Sequence, residues 1–390
     1  MIPLGLEARR QLVRDFVSYH LGRLRGGSAP VLANKDDEIP YSSPPLLADS
    51  LETVYLAGIF ADTYGFRKLG LEDLLLAKPS IAQYADLLSR IWESVDTVGF
   101  FTSGSQGKPQ LIYHPWDRLW EEVKTFSPLL EQQLGWPPQR VVSLVPSIHI
   151  YGFLWSLVYP WFRGIPFMRQ SPVSTQFQDQ DLVISTPHLI KQWNLRGVCL
   201  PKRIGILLST APLEASEARF LDAQGIRWVE LYGSTETGGI GYRTTLSTGF
   251  IPLPGWKLEL LAEGTLKLYK GEESFLGPDF VLLDGPYILP QGRRDQAVQI
   301  AGVNVYPQKI KVFLEQQEGI AQAAVRPYTS EMGLRLKAFI VPRTGEEPKA
   351  LEERLRLACS KHLTPPERPQ LFTFGPELPK NEMGKLTDWE

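Results

Sequence analysis

The stretch IRWVELYGSTETGG, residues 226–239, decides the fold class. Its first part, Ile226–Tyr232, is a short run dominated by apolar and aromatic side chains between Gly225 and Gly233. That is the pattern of a buried strand, and the glycines and hydroxyls that follow make a turn. Upstream, Ala215–Ala223 reads as a helix that Gly225 closes. Further strands are expected at Val141–Val145, Leu182–Ser185 and Ile204–Ser209. A helix over 116–134 carries Trp116, Leu119, Trp120, Val123 and Phe126 at helical spacing, with Pro128 as a candidate kink. Strands alternating with helices predict an α/β fold with mixed or parallel sheets flanked by helices.

Working outward, helices are expected over 4–24 and near 50–64 and 80–94, with a loop over 26–50. Val98–Thr102 is a strand that runs into a loop of small residues. After residue 250 the texture changes. Lys257–Leu261 and Thr265–Tyr269 read as a hairpin, and PQGRRD at 290–295 as a linker. Beyond it lie helices at 307–317 and 348–362 and strands near 321–326, 334–341 and 370–374. This predicts a large N-terminal domain, residues 1–292, and a small α+β C-terminal domain, residues 293–390.

Composition excludes several classes. The 390 residues carry a net charge of −2, so no general attraction to nucleic acid or an anionic membrane is expected. Two distant cysteines, Cys199 and Cys359, make neither a disulfide framework nor a zinc motif, and they fit a reducing cytoplasm. The start MIPLGLEARRQLVRDF has no secretory pattern. The apolar stretch 141–162 is broken by Pro146, Gly152 and Pro160, which favours a strand, a loop and a buried helix over a membrane span.

Two loops carry candidate chemistry. In Thr102-Ser103-Gly104-Ser105-Gln106-Gly107-Lys108-Pro109, small residues let successive backbone N–H groups approach a polyphosphate, and Lys108 adds charge. It is not a Walker loop, because Pro109 follows the Gly-Lys pair and only two residues separate Gly104 from Gly107. In Tyr232-Gly233-Ser234-Thr235-Glu236-Thr237-Gly238-Gly239, Tyr232 could stack on a purine, Thr235 hold a phosphate oxygen and Glu236 bind Mg²⁺. Each loop alone also fits an ordinary turn, which is what an isolated Ser/Gly turn such as the first usually is.

Together and in this order, the two loops resemble the phosphate-binding and Tyr-Gly-x-Thr-Glu signatures of the adenylate-forming superfamily, which includes acyl- and aryl-CoA ligases. Further segments look similar to that family's motifs. Ser209-Thr210-Ala211-Pro212 resembles its adenine-binding turn. The segment from Val145 through His149, Tyr151 and Gly152 resembles the border of its acyl pocket. Gly292-Arg293-Arg294-Asp295 resembles the ribose-contacting Arg293 and the hinge acid Asp295. The stretch from Pro379 to Lys385 resembles its catalytic-lysine loop. Asp279 is the best match for the ribose-binding acid. Departures are Gln106 and Gln110 where Thr and Lys are usual, Lys309 in place of an acid, and a shortened N-terminal region.

The resemblance implies ATP, Mg²⁺ and a small carboxylic acid as reactants, with coenzyme A or the phosphopantetheine of a discrete acyl carrier protein as acceptor. It implies that Lys385 acts at the α-phosphate, that Glu236 and Thr102 face the metal, and that the 102–108 loop holds the β- and γ-phosphates. It implies a ribose held by Asp279 and Arg293 and an acid bordered by His149, Tyr151, Gly152, Tyr232, Gly233 and Gly238. Closure about Asp295 would carry Lys385 to the nucleotide. The aromatic and apolar content of Ile148–Trp161 predicts a neutral aromatic or short apolar acid. Two alternatives remain open: a nucleotide-binding module with impaired catalysis, and an enzyme that transfers AMP to a macromolecule.

Overall fold

The computed structural model describes residues 4–26, 30, 32–102, 110–171, 176–262, 264–294, 297–379 and 387–389. Contacts divide them into two compact units. One holds the described residues up to 21 and those of 30–102 and 110–294; the other holds 22–26 and the described residues from 297 on.

The first unit begins with a helical layer: α1 (Leu6–Leu24), α2 (Ser50–Tyr64), the short α3 (Phe66–Leu69) and α4 (Leu74–Ala77), and α5 (Ile81–Ile91). Asp49 caps α2 by accepting from the Glu52 amide, and Gly65 ends it in the left-handed region at φ 82°. A hairpin of β1 (Thr97–Phe101) and β2 (Leu111–Pro115) follows, then α6 (Trp116–Leu134). The helix α6 continues past Pro128, which lies in its interior. The carbonyl that loses its partner there belongs to exposed Lys124, where water can reach it.

The central sheet contains β3 (Arg140–Ser143), β4 (Phe167–Arg169), β5 (Asp181–Ser185), β6 (Gly205–Leu208), β7 (Arg227–Ser234), β8 (Gly238–Arg243) and β9 (Ile251–Pro252). Its order is β4-β3-β5-β6-β7-β8-β9, parallel from β4 to β7 and antiparallel beyond. Val141, Ile184, Leu207 and Val229 pack into one core, while Val142, Val183, Ile206 and Trp228 pack into another on the opposite face. Both faces are covered, which is why these strands read as continuous apolar runs rather than alternating ones. The helices α7 (Ile150–Phe153) and α8 (Tyr159–Arg163), joined by a π-helical turn at Leu154–Val158, lie with α6 in the first core. The helices α9 (Pro187–Leu195) and α10 (Ala215–Ala223) contribute Ile190, Trp193 and Leu221 to the second.

A four-stranded antiparallel sheet completes this unit: β10 (Lys257–Leu260), β11 (Thr265–Lys270), β12 (Glu273–Asp284) and β13 (Tyr287–Arg293). Residues 290–293, expected in a linker, are therefore strand. Pro290 fits because β13 is an edge and the register slips there, with Val281 opposite Pro290 and Phe280 opposite Gly292. The expected domain boundary at 292/293 lies two residues before the division in contacts, which falls after Arg294.

The second unit contains β14 (Val298–Ile300), β15 (Val303–Val305), α11 (Pro307–Glu315), β16 (Ile320–Ser330), β17 (Gly333–Pro342), α12 (Pro348–His362) and β18 (Leu371–Phe374). Ile310, Leu314, Leu336, Ala338, Leu351 and Leu355 form its core. Among the described residues, no helix is long and apolar enough to cross a membrane.

Candidate active site

Because β3, β5, β6 and β7 are parallel, their carboxyl ends share one edge of the sheet. Ligands of open α/β sheets bind at that edge. The chain leaves it through the segments holding Pro146–His149, Thr186, Ser209–Pro212 and Thr235–Thr237. Tyr151 ties two strand ends together: its hydroxyl lies 2.9 Å from the Ser185 carbonyl and 2.6 Å from the Leu207 carbonyl, donating between them. Burial raises its phenol well above the usual range, so it stays a neutral donor.

The 209–212 turn is fixed at both ends. The Ser209 hydroxyl donates to the Leu231 carbonyl at 3.0 Å, and the Leu213 amide donates to Glu230 Oε1 at 2.9 Å. Glu230 Oε2 accepts from Arg243 Nε at 2.7 Å. Burial pushes the Glu230 carboxyl up, and the Arg243 hydrogen bond and charge oppose that shift. Between these anchors Thr210 sits at φ 81°, a costly conformation for a β-branched residue.

The second glycine loop is a tight hairpin rather than an open loop, with β7 running through Ser234 and β8 starting at Gly238. Ser234 and Thr237 clasp it: the Ser234 amide donates to the Thr237 hydroxyl at 3.2 Å, and the Thr237 amide to the Ser234 hydroxyl at 3.3 Å. A Cβ on Gly233 would lie 2.1 Å from the Gly238 carbonyl oxygen, so only glycine fits. Residues from β2 and α6 hold the turn from behind. His114 Nε2 donates to the Thr235 carbonyl at 2.6 Å, and Arg118 to the Thr237 carbonyl at 2.7 Å. Glu122 Oε1 accepts from the Gly239 amide at 3.0 Å. Burial pulls His114 down to about 4, so the ring is neutral and donates through one nitrogen. Burial also raises Glu122, with Lys270, the Gly239 amide and Arg118 opposing.

This scaffold leaves Glu236 exposed at the tip of the turn, and among the described residues nothing engages its carboxylate. A single exposed carboxylate on a rigid turn fits Mg²⁺, which binds through one or two carboxylates plus substrate phosphates. No group of three or more His, Cys, Asp or Glu able to hold a metal occurs among the described residues. Thr102 and Gln110 close the base of the first loop: the Thr102 amide donates to the Gln110 carbonyl at 2.8 Å, and the Gln110 amide to the Thr102 hydroxyl at 3.3 Å. Ser103, Gly104, Ser105, Gln106, Gly107 and Lys108 lie outside the described residues, as do Asp295 and Lys385.

The ribose candidates meet. Asp279 and Arg293 are direct cross-strand partners, with Nε and Oδ1 3.9 Å apart. Burial and then the Asp279 charge push the Tyr232 phenol well above its ordinary value, while Arg293 opposes. Tyr232 also packs on Phe250 at 5.2 Å between ring centroids, and Arg243 covers Phe250 at 4.5 Å. His149 is exposed at the N-cap of α7. A Cβ on Gly152 would fall 2.0 Å from the Pro146 carbonyl oxygen, so the absence of a side chain there lets the 146–149 segment fold onto α7.

Comparisons with known proteins show the family. Residues 310–385 match the AMP-binding enzyme C-terminal domain. The chain is 33% identical to a 4-coumarate–CoA ligase of Halorhodospira halophila over 99% of this chain and 100% of that protein. It is 34% identical to a 4-coumarate–CoA ligase of Rhodobacter capsulatus, over 88% of this chain and 90% of that protein. The solved structure of o-succinylbenzoate CoA synthetase from Bacillus subtilis shares the fold, with a TM-score of 0.63 at 18% identity, covering 74% of this chain and 67% of that one. The chain belongs to the adenylate-forming, AMP-binding family. Within it, the chain is an AMP-forming acid–thiol ligase.

Proposed function

We propose that this chain adenylates a small aromatic acid of the 4-coumarate type and passes the acyl group to the thiol of coenzyme A. The observation that carries the reading is the meeting of Tyr232, Asp279 and Arg293 beside the sheet edge that bears the 209–212 turn. The names of the relatives support the substrate class and the acceptor.

Attack of a carboxylate on an α-phosphate brings two anions together, so catalysis is mostly positioning and charge stabilisation. In this reading the 209–212 turn and the face of Tyr232 hold the adenine, and Asp279 with Arg293 holds the ribose. Glu236 and Thr102 hold Mg²⁺, which when bound neutralises phosphate charge. The 102–108 loop holds the β- and γ-phosphates. Lys385 supplies a cation to the α-phosphate and the attacking carboxylate. His149 borders the acid, together with Gly152, Gly233 and Gly238. The large region, which ends at Arg294, supplies the nucleotide, metal and acid contacts, and the small C-terminal region beyond it carries Lys385.

The test is turnover of the full chain with ATP, Mg²⁺ and coenzyme A over 4-coumarate, benzoate and a straight-chain fatty acid. AMP and a CoA thioester should form together, fastest with 4-coumarate. AMP release that ignores the acid, or a preference for the fatty acid, would refute the reading. Thioester formed on a phosphopantetheinyl carrier protein and not on coenzyme A would refute the acceptor alone.

A further inference from the structure

One face of α1 is turned toward the 146–149 segment. Asp15 and Tyr19 are four residues apart, so both project from the same side of the helix. Asp15 Oδ2 accepts twice from Ser147, from its amide and from its hydroxyl, each at 2.7 Å. Asp15 Oδ1 accepts from Gln11 at 3.0 Å and lies 3.6 Å from Arg169 Nε. The Arg169 guanidinium also donates to the carbonyls of Ser143 and Gln170, where β3 and β4 end. Asp15 is thus a strut, its side chain 10% exposed, and it joins α1 to the sheet edge.

Two residues beyond buried Ser147, the exposed His149 ring meets Tyr19 edge-on, at 5.5 Å and 86°. The helix is firmly packed where it does this. Leu12, Val13, Phe16 and Val17 are fully buried, and buried Arg14 pairs with buried Asp37 at 2.9 Å. The next residue, His20, packs on Phe101, the last residue of β1, at 5.6 Å. One helix therefore touches both the expected acid segment and the strand that leads into the first loop.

We propose that α1 is a wall of the acid site, with Tyr19 a specificity-determining residue seated against His149 and Asp15 a positioning residue that holds the 146–149 segment. The inference rests on His149 bordering the acid. A planar ring entering beside His149 meets the Tyr19 ring, and edge or offset contacts between aromatic groups restrict which ring sizes fit. The Asp15 charge is engaged by Ser147 and Arg169, so it does not face the substrate carboxylate.

The experiment measures KM for acid and for ATP separately on the full chain, with benzoate, 4-coumarate and 2-naphthoate, alongside melting temperatures. Asp15→Ala should raise the acid KM by about tenfold while the ATP KM stays within about twofold, the signature of lost acid binding alone. Asp15→Asn keeps one acceptor for Ser147 and should recover part of the loss. Tyr19→Ala should weaken 4-coumarate and improve 2-naphthoate relative to it by several-fold, whereas Tyr19→Phe should keep the wild-type order. If Asp15→Ala proves insoluble, Asp15→Asn and Tyr19→Ala decide the matter. Acid and ATP KM rising together, or unchanged selectivity in Tyr19→Ala, overturns the inference. His149→Ala separates the levels. If it raises the acid KM while the α1 variants do not, this inference alone fails; if it too leaves the acid KM unchanged, the acid-site reading fails with it.

Discussion

Replacing Glu230 by alanine removes the group that fixes the proposed adenine turn. Its carboxylate accepts from the Leu213 amide at 2.9 Å and from Arg243 Nε at 2.7 Å, in a site where Glu230 is only 1% exposed. Breaking a buried pair by deleting one partner costs about 3–5 kcal/mol, because the other charge stays behind uncompensated. In a unit of this size each kcal/mol lowers the melting temperature by about 2–4 °C, so a drop of about 6–20 °C is expected. The turn also loses its anchor, and an ATP KM at least about tenfold higher corresponds to only about 1.4 kcal/mol of that loss. The acid KM should change far less. Glu230→Gln keeps an acceptor for Leu213 but sets an amide against the Arg243 donor, so its cost should be near the ~1.5–3 kcal/mol of one charged hydrogen bond. The decisive variant is Glu230→Met with Arg243→Met. It removes both charges and should regain most of the melting temperature, yet the Leu213 amide still lacks its partner, so the ATP KM should stay high. A double variant with normal ATP KM, or a single variant that melts early but binds ATP normally, would show that this turn does not hold the nucleotide.

Three further outcomes follow from the same geometry. Gly152→Ala places a Cβ 2.0 Å from the Pro146 carbonyl oxygen, which is backbone; it should lose about 1–3 kcal/mol in chemical denaturation and raise the acid KM more than the ATP KM. His114 is held neutral, its pKa pulled from 6.5 to about 4 by burial, so the unfolded chain binds the extra proton between those values and stability falls as pH drops through that window. About 1.5 kcal/mol should be lost between pH 6.5 and 5, and melts of His114→Gln should show a shallower decline over that range. Glu236→Gln alters an exposed side chain, so the melting temperature should hold while the Mg²⁺ concentration for half-maximal rate rises severalfold; an unchanged Mg²⁺ titration would remove Glu236 from the metal site.

The parallel core was legible because its strands are apolar on both faces, and the long helices because their stripes repeat at helical spacing. What escaped was set by tertiary contacts. Gly238–Arg243 carries three glycines and little strand propensity, yet it forms β8 because its start packs on the Glu122 carboxylate. Residues 290–293 looked like a linker, but an edge position and a register slip accommodate Pro290 in β13. The meeting of Asp279 with Arg293 was expected only through the family resemblance, since spacing along the chain says nothing about which residues face each other across a bulge. The support behind the second loop had one visible trace. Glu122 falls on the buried stripe of α6 beside Leu119, Val123 and Phe126, and a carboxylate there needs a partner. Asp15 and Tyr19 left no such trace, because half-buried residues on an amphipathic helix are ordinary until the opposite surface is known.

The account stands most directly on exchange of labelled pyrophosphate into ATP by the full chain, without coenzyme A and with or without 4-coumarate. It predicts exchange that requires the acid and Mg²⁺ and that falls sharply in Asp279→Ala. Exchange of equal rate without any acid, or formation of ADP instead of AMP when coenzyme A is added, would contradict it.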